Sequence, residues 1–331
     1  GTASIPRGVG WSTLEHGVII VRMCRAGIGL RAVGLIVCAL IRVSGDQLDT
    51  LLDEDATGDD DARVRAYWGL DQPLHIQYVK YMGNIATGKL GQSIRFPGKD
   101  ASELLMNRLP ATLELALVAL IVSARIALPL GVLVAVKQDT GIDFVGKIVA
   151  LLGQSIPSFW LGLMLMWVFA VHFQLLPTSG RGDLEVSGLF GDRIKHLILP
   201  GIALGYFQVA ALMRLIRSSM LEVLDTEYVK LARIKGIPEW KVIWKHCVRN
   251  AMIAPLTYFG LVIGGLMTGS VVIETIFTWP GVGLLAIDAL RSQDFQVVQS
   301  VVLFFAVIFI ICNLIVDILY AYFDPRIRYT H

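Results

Sequence analysis

Residues able to do chemistry are sparse in this 331-residue chain, and their spacing argues against catalysis. Gly83-Asn84-Ile85-Ala86-Thr87-Gly88-Lys89-Leu90 comes within one residue of the GxxxxGK[ST] loop, in which backbone N–H groups cradle phosphates and a hydroxyl holds Mg²⁺. Leu90 stands where that hydroxyl belongs and no strand pattern precedes the run, so nucleotide binding is not expected there. The histidines (His16, His75, His172, His196, His246, His331) are scattered, with no HExxH pair. Cys24, Cys38, Cys247 and Cys312 form no CxxC motif, so neither a zinc site nor a disulfide framework is expected. Ser155 and Ser158 flank Pro157 and read as hydroxyls that recover carbonyls freed by a helix kink. No Ser–His–Asp or paired-carboxylate constellation is legible. The expectation is a chain that is not an enzyme, binds no metal and holds no cofactor of its own.

Three ionisable residues stand out because they fall inside long apolar runs: Glu114, Arg125 and Asp317. A charge at membrane depth is costly, so each is a functional candidate by default. The alternative is structural pairing within a bundle, with Glu114 or Asp317 against Arg125.

The elements that must position these residues are membrane helices. The chain is 55% hydrophobic and 17% charged, with mean hydropathy +0.63. A soluble domain carries about 25% charged residues. A formal net charge of +2 gives no reason to expect nucleic acid as a partner. About 20 apolar residues cross the hydrocarbon core. Ile148–Val171, Ala251–Ile273 and Val297–Val316 are charge-free runs of that kind. Leu197–Met213 extends past Arg214 if that side chain snorkels, and Ala111–Val136 is interrupted only by Glu114 and Arg125. Val18–Ile41 contains Arg22, Arg25 and Arg31, and is either a sixth span or an interfacial helix. The fold class expected is all-α, a polytopic membrane bundle of about six transmembrane helices. Residues 1–43 form an N-terminal segment with the first span, 44–110 a polar external cap, and 111–331 the transmembrane core.

Orientation follows from the loops. Arg214–Arg249 holds eight Lys/Arg against four Asp/Glu, and Ser44–Pro110 holds eleven acids against seven bases. The positive-inside rule puts the first in the cytoplasm, the second outside and, with six spans, both termini in the cytoplasm. The acidic segment, with Asp59-Asp60-Asp61, reads either as a docking surface for an external protein or as a linker.

Between the fourth and fifth spans, residues 220–255 carry the strongest local signal. Leu221, Leu224, Tyr228, Leu231 and Ala232 are spaced to share one helix face. Asp225 or Thr226 can start a short helix near Glu227, Gly236 stops it, and Pro238 precedes a second helix over 239–251. The pair is either a docking element or a basic helix lying on an anionic leaflet.

Glu227-Tyr228-Val229-Lys230-Leu231-Ala232-Arg233-Ile234-Lys235-Gly236, followed by Arg249-Asn250-Ala251-Met252-Ile253, resembles the cytoplasmic "EAA" loop of permease subunits of binding-protein-dependent ABC importers. The resemblance is to the dipeptide/oligopeptide branch, which also includes glutathione and nickel importers. It extends in order from Gly69-Leu70-Asp71-Gln72-Pro73-Leu74 through Pro110-Ala111-Thr112-Leu113-Glu114-Leu115-Ala116, the start of the second span. It continues through Glu274-Thr275-Ile276-Phe277-Thr278-Trp279-Pro280-Gly281-Val282-Gly283 to Asn313-Leu314-Ile315-Val316-Asp317 and Asp324-Pro325-Arg326-Ile327-Arg328. The chain departs from the family at Ser44-Gly45-Asp46-Gln47, at Arg125 and at Pro255.

The resemblance implies a type I ABC importer-like fold in a prokaryotic inner or plasma membrane. It implies a second, homologous permease subunit, two cytoplasmic ATPases that hold ATP and Mg, an extracytoplasmic substrate-binding protein and the lipid bilayer as partners. Glu227–Ile237 would be the coupling helix, with Glu227, Tyr228, Lys230, Ala232, Arg233, Lys235, Gly236 and Ile237 as its working residues. Lys230, Arg233 and Lys235 would meet the rim of a cleft on the ATPase. Gln154, Ser155, Pro157, Glu274, Asn313 and Asp317 are candidates to line the substrate path, the alternative being ordinary interhelical hydrogen bonds. Cargo would be a di- or oligopeptide, glutathione or a nickel chelate. A passive channel is the alternative from another class, and it would need a charged ring or carbonyl filter that the sequence does not display.

Overall fold

The computed structural model describes residues 27, 29, 31–36, 39, 72–182 and 191–323, with the side chains of 74, 86 and 316–323 left aside. The acidic run 59–61, Ser44–Gln47, Gly69–Asp71 and the tail 324–331 lie outside the described residues. So do most of Val18–Ile41, of which residues 31–36 are helical.

Ten helices follow in order among the described residues: α1 Leu74–Ala86, α2 Ala101–Val136, α3 Gly141–Ser155, α4 Ser158–His172 and α5 Asp192–Leu224, then α6 Glu227–Ile234, α7 over 239–251, α8 Ile253–Ile276, α9 Val282–Arg291 and α10 Phe295–Phe323. Four of them (α2, α5, α8 and α10) are long and apolar enough to cross a membrane, and the bent pair α3–α4 makes a fifth span if counted as one.

Local sequence accounts for the ends. Asp100 caps α2 by accepting from the Ser102 N–H at 2.8 Å, and Glu103 adds a negative charge to the first turn. The Asp100-Ala101-Ser102-Glu103 spacing is a legible start signal. It places Pro110 well inside α2, so the expected boundary between cap and core at residue 110 falls within a continuous helix. Lys89 follows the C-terminus of α1, where Gly88 has φ +78°, so the phosphate-loop-like run is a helix end.

α2 and α5 form the central pair. Gly201 and Gly205 sit one turn apart on α5, and a Cβ at either would meet Val118 or the Ala119 backbone of α2. Gly131 of α2 returns the fit against Ile216 of α5. Small residues let two backbones approach closely where lipid gives no hydrophobic drive for helices to pair. Three apolar clusters fill the bundle among the described residues, the smallest joining Leu105, Val282, Leu285 and Val301 where α2, α9 and α10 meet; the other two are larger. One gathers Leu115, Leu199, Leu266, Ile273, Phe277 and Trp279, and the other Leu212, Ile216, Met220, Val229, Val242 and Cys247.

The run Ile148–Val171, expected as one kinked span, breaks by 96° at Ile156-Pro157. Ser155 donates to the Leu151 carbonyl at 3.1 Å, which lies within the ladder of α3, and not to the Gly153 carbonyl that Pro157 leaves without its helix donor. The Tyr206 hydroxyl of α5 reaches the carbonyl oxygens of Gly153 and Ile156, the latter at 3.0 Å. These contacts satisfy backbone groups that the bend takes out of the helix ladder.

The expected pairing of Glu114 with Arg125 is corrected. Glu114 accepts from Arg181 at 2.7 Å and lies 2.9 Å from Arg193, both beyond α4. Arg125 is exposed on the outer surface of α2.

Candidate functional site

The loop after α5 is built around one short helix. α5 ends at Leu224, Asp225 and Thr226 leave the helical path, and α6 begins at Glu227. Thr226 is extended, and its hydroxyl donates back to the Val223 carbonyl at 2.6 Å rather than to the new helix. Its carbonyl accepts from Val229 and Lys230 and starts the ladder. Glu227 at the first turn and Arg233 at the last oppose the helix dipole.

Gly236 ends α6 with φ +74°. Its N–H bonds the Arg233 carbonyl at 2.9 Å, and the Ile237 N–H bonds that of Ala232 at 3.3 Å. This is the Schellman ending, which calls for a left-handed residue after the helix. A Cβ at Gly236 would meet nothing within 4 Å, so Gly236→Ala acts through backbone conformation alone. The expected cost is about 1 kcal/mol, within the range for a non-glycine residue in the left-handed region. A thermal unfolding midpoint equal to the parent's would contradict it, and Gly236→Asn should fall between the two.

Burial divides the helix differently from the expected face. The break at Asp225 takes Leu221 and Leu224 off the α6 face. Val229 and Ala232 are buried, packed with Leu221, Val223, Val242, Cys247 and Val248. Tyr228 and Leu231 are exposed, and Ile234 is 80% exposed. Polar links fix the helix to α7. Arg233 pairs with Glu239 at 2.7 Å, and Asn250 donates to the Tyr228 hydroxyl at 2.8 Å. Lys230 pairs with Glu227 at 2.9 Å, a hydrogen bond that raises its pKa, and burial pushes the Cys247 thiol up. Lys235 is exposed and makes no ion pair among the described residues, while Ile237 is half-buried. Of the cations expected at a cleft rim, Lys230 and Arg233 are already engaged within the chain.

α7 is helical at Glu239–Lys241 and Arg249–Ala251, with a wider π-turn segment over Val242–Val248 between. Such insertions recur at functional sites. α7 is separated from α8 by Met252 alone.

The six residues expected along a path do not form one site. Gln154, Ser155 and Pro157 lie at the α3–α4 break, with Gln154 half-buried and the other two exposed. Asn313 is half-buried on α10, next to Cys312, which lies against Gly264 of α8. Asp317 follows one turn later, with its side chain outside the described set. The expectation for Glu274 is corrected: it is wholly buried. It stands ten residues beyond Gly264, about 15 Å along α8 at 1.5 Å per residue.

Glu274 instead closes a knot. Its Oε1 accepts from Thr112 at 2.8 Å and Ser270 at 2.9 Å, and its Oε2 accepts from the Leu284 N–H at 3.0 Å. The Val282 N–H donates to the Thr112 hydroxyl at 2.8 Å, and Trp279 Nε1 donates to the Ala111 carbonyl at 2.8 Å. A Cβ at Gly281 would lie 2.4 Å from the Glu274 carboxylate. Arg181 sits 5.9 Å from the Trp279 ring centroid while holding Glu114. Spacing gave no signal for this clasp, because Thr112 and Glu274 are 162 positions apart.

The family described as binding-protein-dependent transport system inner membrane component matches residues 127–329. The chain is 41% identical over 285 residues to the oligopeptide transport system permease protein AppB of Bacillus subtilis (strain 168), covering 86% of this chain and 90% of that one. It is 40% identical over 291 residues to the dipeptide transport system permease protein DppB of Escherichia coli (strain K12), covering 81% and 85%. A chain of the MetNI methionine ABC transporter, solved in inward-facing conformations, superposes with TM-score 0.55 at 15% identity, over 67% of this chain and 96% of that one.

Proposed function

The chain belongs to the family of binding-protein-dependent transport system inner membrane components, and from that premise we propose that it is the permease subunit of a di- or oligopeptide importer in which α6 transmits the work of partner ATPases. The membrane placement follows from the family and from the apolar spans. The peptide cargo is proposed from the named activities of relatives at about 40% identity. The subunit itself is non-catalytic in this reading. ATP and Mg belong to two cytoplasmic ATPases, a second permease completes the channel, and an external binding protein delivers cargo. The α6 end is the cytoplasmic one.

One observation carries the reading of α6. A helix of eight residues holds its own Val229/Ala232 face in the core and turns Leu231 and Ile234 outward. Exposed apolar side chains grouped on one helix face mark an interaction surface. A basic helix resting on a leaflet would carry its cations free, but Lys230 and Arg233 are tied to Glu227 and Glu239.

Ile234→Asp places a charge at the centre of the proposed contact while leaving α6 anchored. In the complex reconstituted with ATPases and binding protein, it should lower peptide-stimulated ATP hydrolysis by about ten-fold, the effect of losing roughly 1.4 kcal/mol of docking. Helix content and thermal midpoint should stay at parent values. Unchanged stimulation would remove α6 from the coupling role. Peptide flux without ATP would replace the importer by a passive channel.

A further inference from the structure

We propose that the cavity between α2, α3 and α5 is a binding site for the phosphate of an anionic phospholipid, in the leaflet on the α6 side of the membrane. The cavity has a volume of about 200 Å³ and is lined by Val134, Lys147, Leu151, Met213, Arg214 and Arg217. Its walls combine three cations with three apolar side chains. Asp143 is the carboxylate that answers them. Arg217 binds it bidentately at 2.8 and 2.9 Å, and Lys147 reaches it at 2.9 Å. One carboxylate against three cations leaves two positive charges over, and Arg214 pairs with no carboxylate among the described residues.

An uncompensated guanidinium at the margin of a bilayer calls for an anion, and basic pockets between membrane helices suit lipid head groups. The surroundings choose a lipid over a free ion. α3, which lines the cavity through Lys147 and Leu151, carries Phe144, Ile148 and Leu152 as exposed apolar side chains. A phosphate held by Arg214 and Lys147 would lay its acyl chains along that apolar face, with Val134, Leu151 and Met213 under the glycerol. The inference is independent of cargo and of the ATPase docking assigned to α6.

The test uses the intact transporter complex, stripped of native lipid in neutral detergent. Its thermal unfolding midpoint is followed as dioctanoyl phosphatidylglycerol is added. The midpoint should rise, and Arg214→Gln should need about five-fold more lipid for the same rise, the effect of one cation near a charged membrane surface. Arg214→Lys should restore most of it. Dioctanoyl phosphatidylcholine, inorganic phosphate and a dipeptide should give no shift that depends on Arg214. An identical titration for parent and Arg214→Gln overturns the proposal. So does an equal Arg214-dependent shift with inorganic phosphate or with the dipeptide, which would make the cavity a free-anion or cargo site. If Arg214→Gln fails to fold, Lys147→Gln carries the same expectation, because Arg217 still holds Asp143.

Discussion

Gly205→Val leaves no folded permease to purify. A Cβ built on Gly205 would lie 2.4 Å from the carbonyl oxygen of Ala119 and 3.1 Å from its carbonyl carbon. Those are backbone atoms in the middle of a 36-residue helix, so no rotamer change can move them aside. α2 and α5 would have to separate along their shared length, uncovering Leu115, Leu199 and Leu212 together. Overpacking a core side chain typically costs about 1–3 kcal/mol. A clash with backbone at the tightest helix crossing should exceed that range. Gly265→Ala is the contrast, since a Cβ there meets nothing within 4 Å on the neighbouring helices. Detergent extraction followed by size-exclusion chromatography should recover the second variant at parent yield and the first as aggregate. Recovery of both as monodisperse protein would mean that the crossing is far looser than these distances require.

Glu274→Ala comes next in size. The change removes the acceptor for two hydroxyls and one backbone N–H, all enclosed between α2, α8 and α9. Ser270 keeps the Met267 carbonyl as acceptor at 2.8 Å, and each of the other two donors left without a partner costs about 1–3 kcal/mol, so a total of roughly 2–5 kcal/mol is expected after relaxation. Glu274→Gln keeps the shape and one carbonyl oxygen, and should lose about half as much. The damage should be local at first. Limited proteolysis should cut near Trp279–Val282 in the alanine variant before the rest of the bundle opens, because the turn loses its tie to Thr112. A variant as resistant and as thermally stable as the parent would show that the clasp contributes little.

What could be read from the residues depended on how far apart the interacting partners lie. The α6 helix was legible because its signals are local: a start near Thr226, and a stop at Gly236 where the backbone turns left-handed. Which face it buries was not, since that depends on α7 and on the break at Asp225, which parts Leu221 and Leu224 from Tyr228. Pro157 marked the place of a bend in the third apolar run without giving its 96°. The angle rests on Tyr206 of α5, about 50 residues away. Glu114 was rightly singled out as a charge among apolar neighbours, but its partners, Arg181 and Arg193, sit beyond two other helices. Arg125 lies nearer in sequence yet faces outward. Glu274 reads from sequence as a candidate to line a path, and its burial follows from Thr112 of α2 and Leu284 of α9, which no local pattern ties to it.

Anchored through Arg233–Glu239 and the Val229 face, α6 has little freedom to move without α7, and α7 leads through a single residue into α8. α8 has 24 residues and is about 36 Å long. A tilt of about 5° at one end therefore displaces the other by about 3 Å, which is the length of a hydrogen bond. The far end is where Glu274 and Trp279 grip α2. The rod between them needs no internal hinge: a small rotation imposed at the α7 end of α8 arrives at its far end as a displacement large enough to make or break that grip.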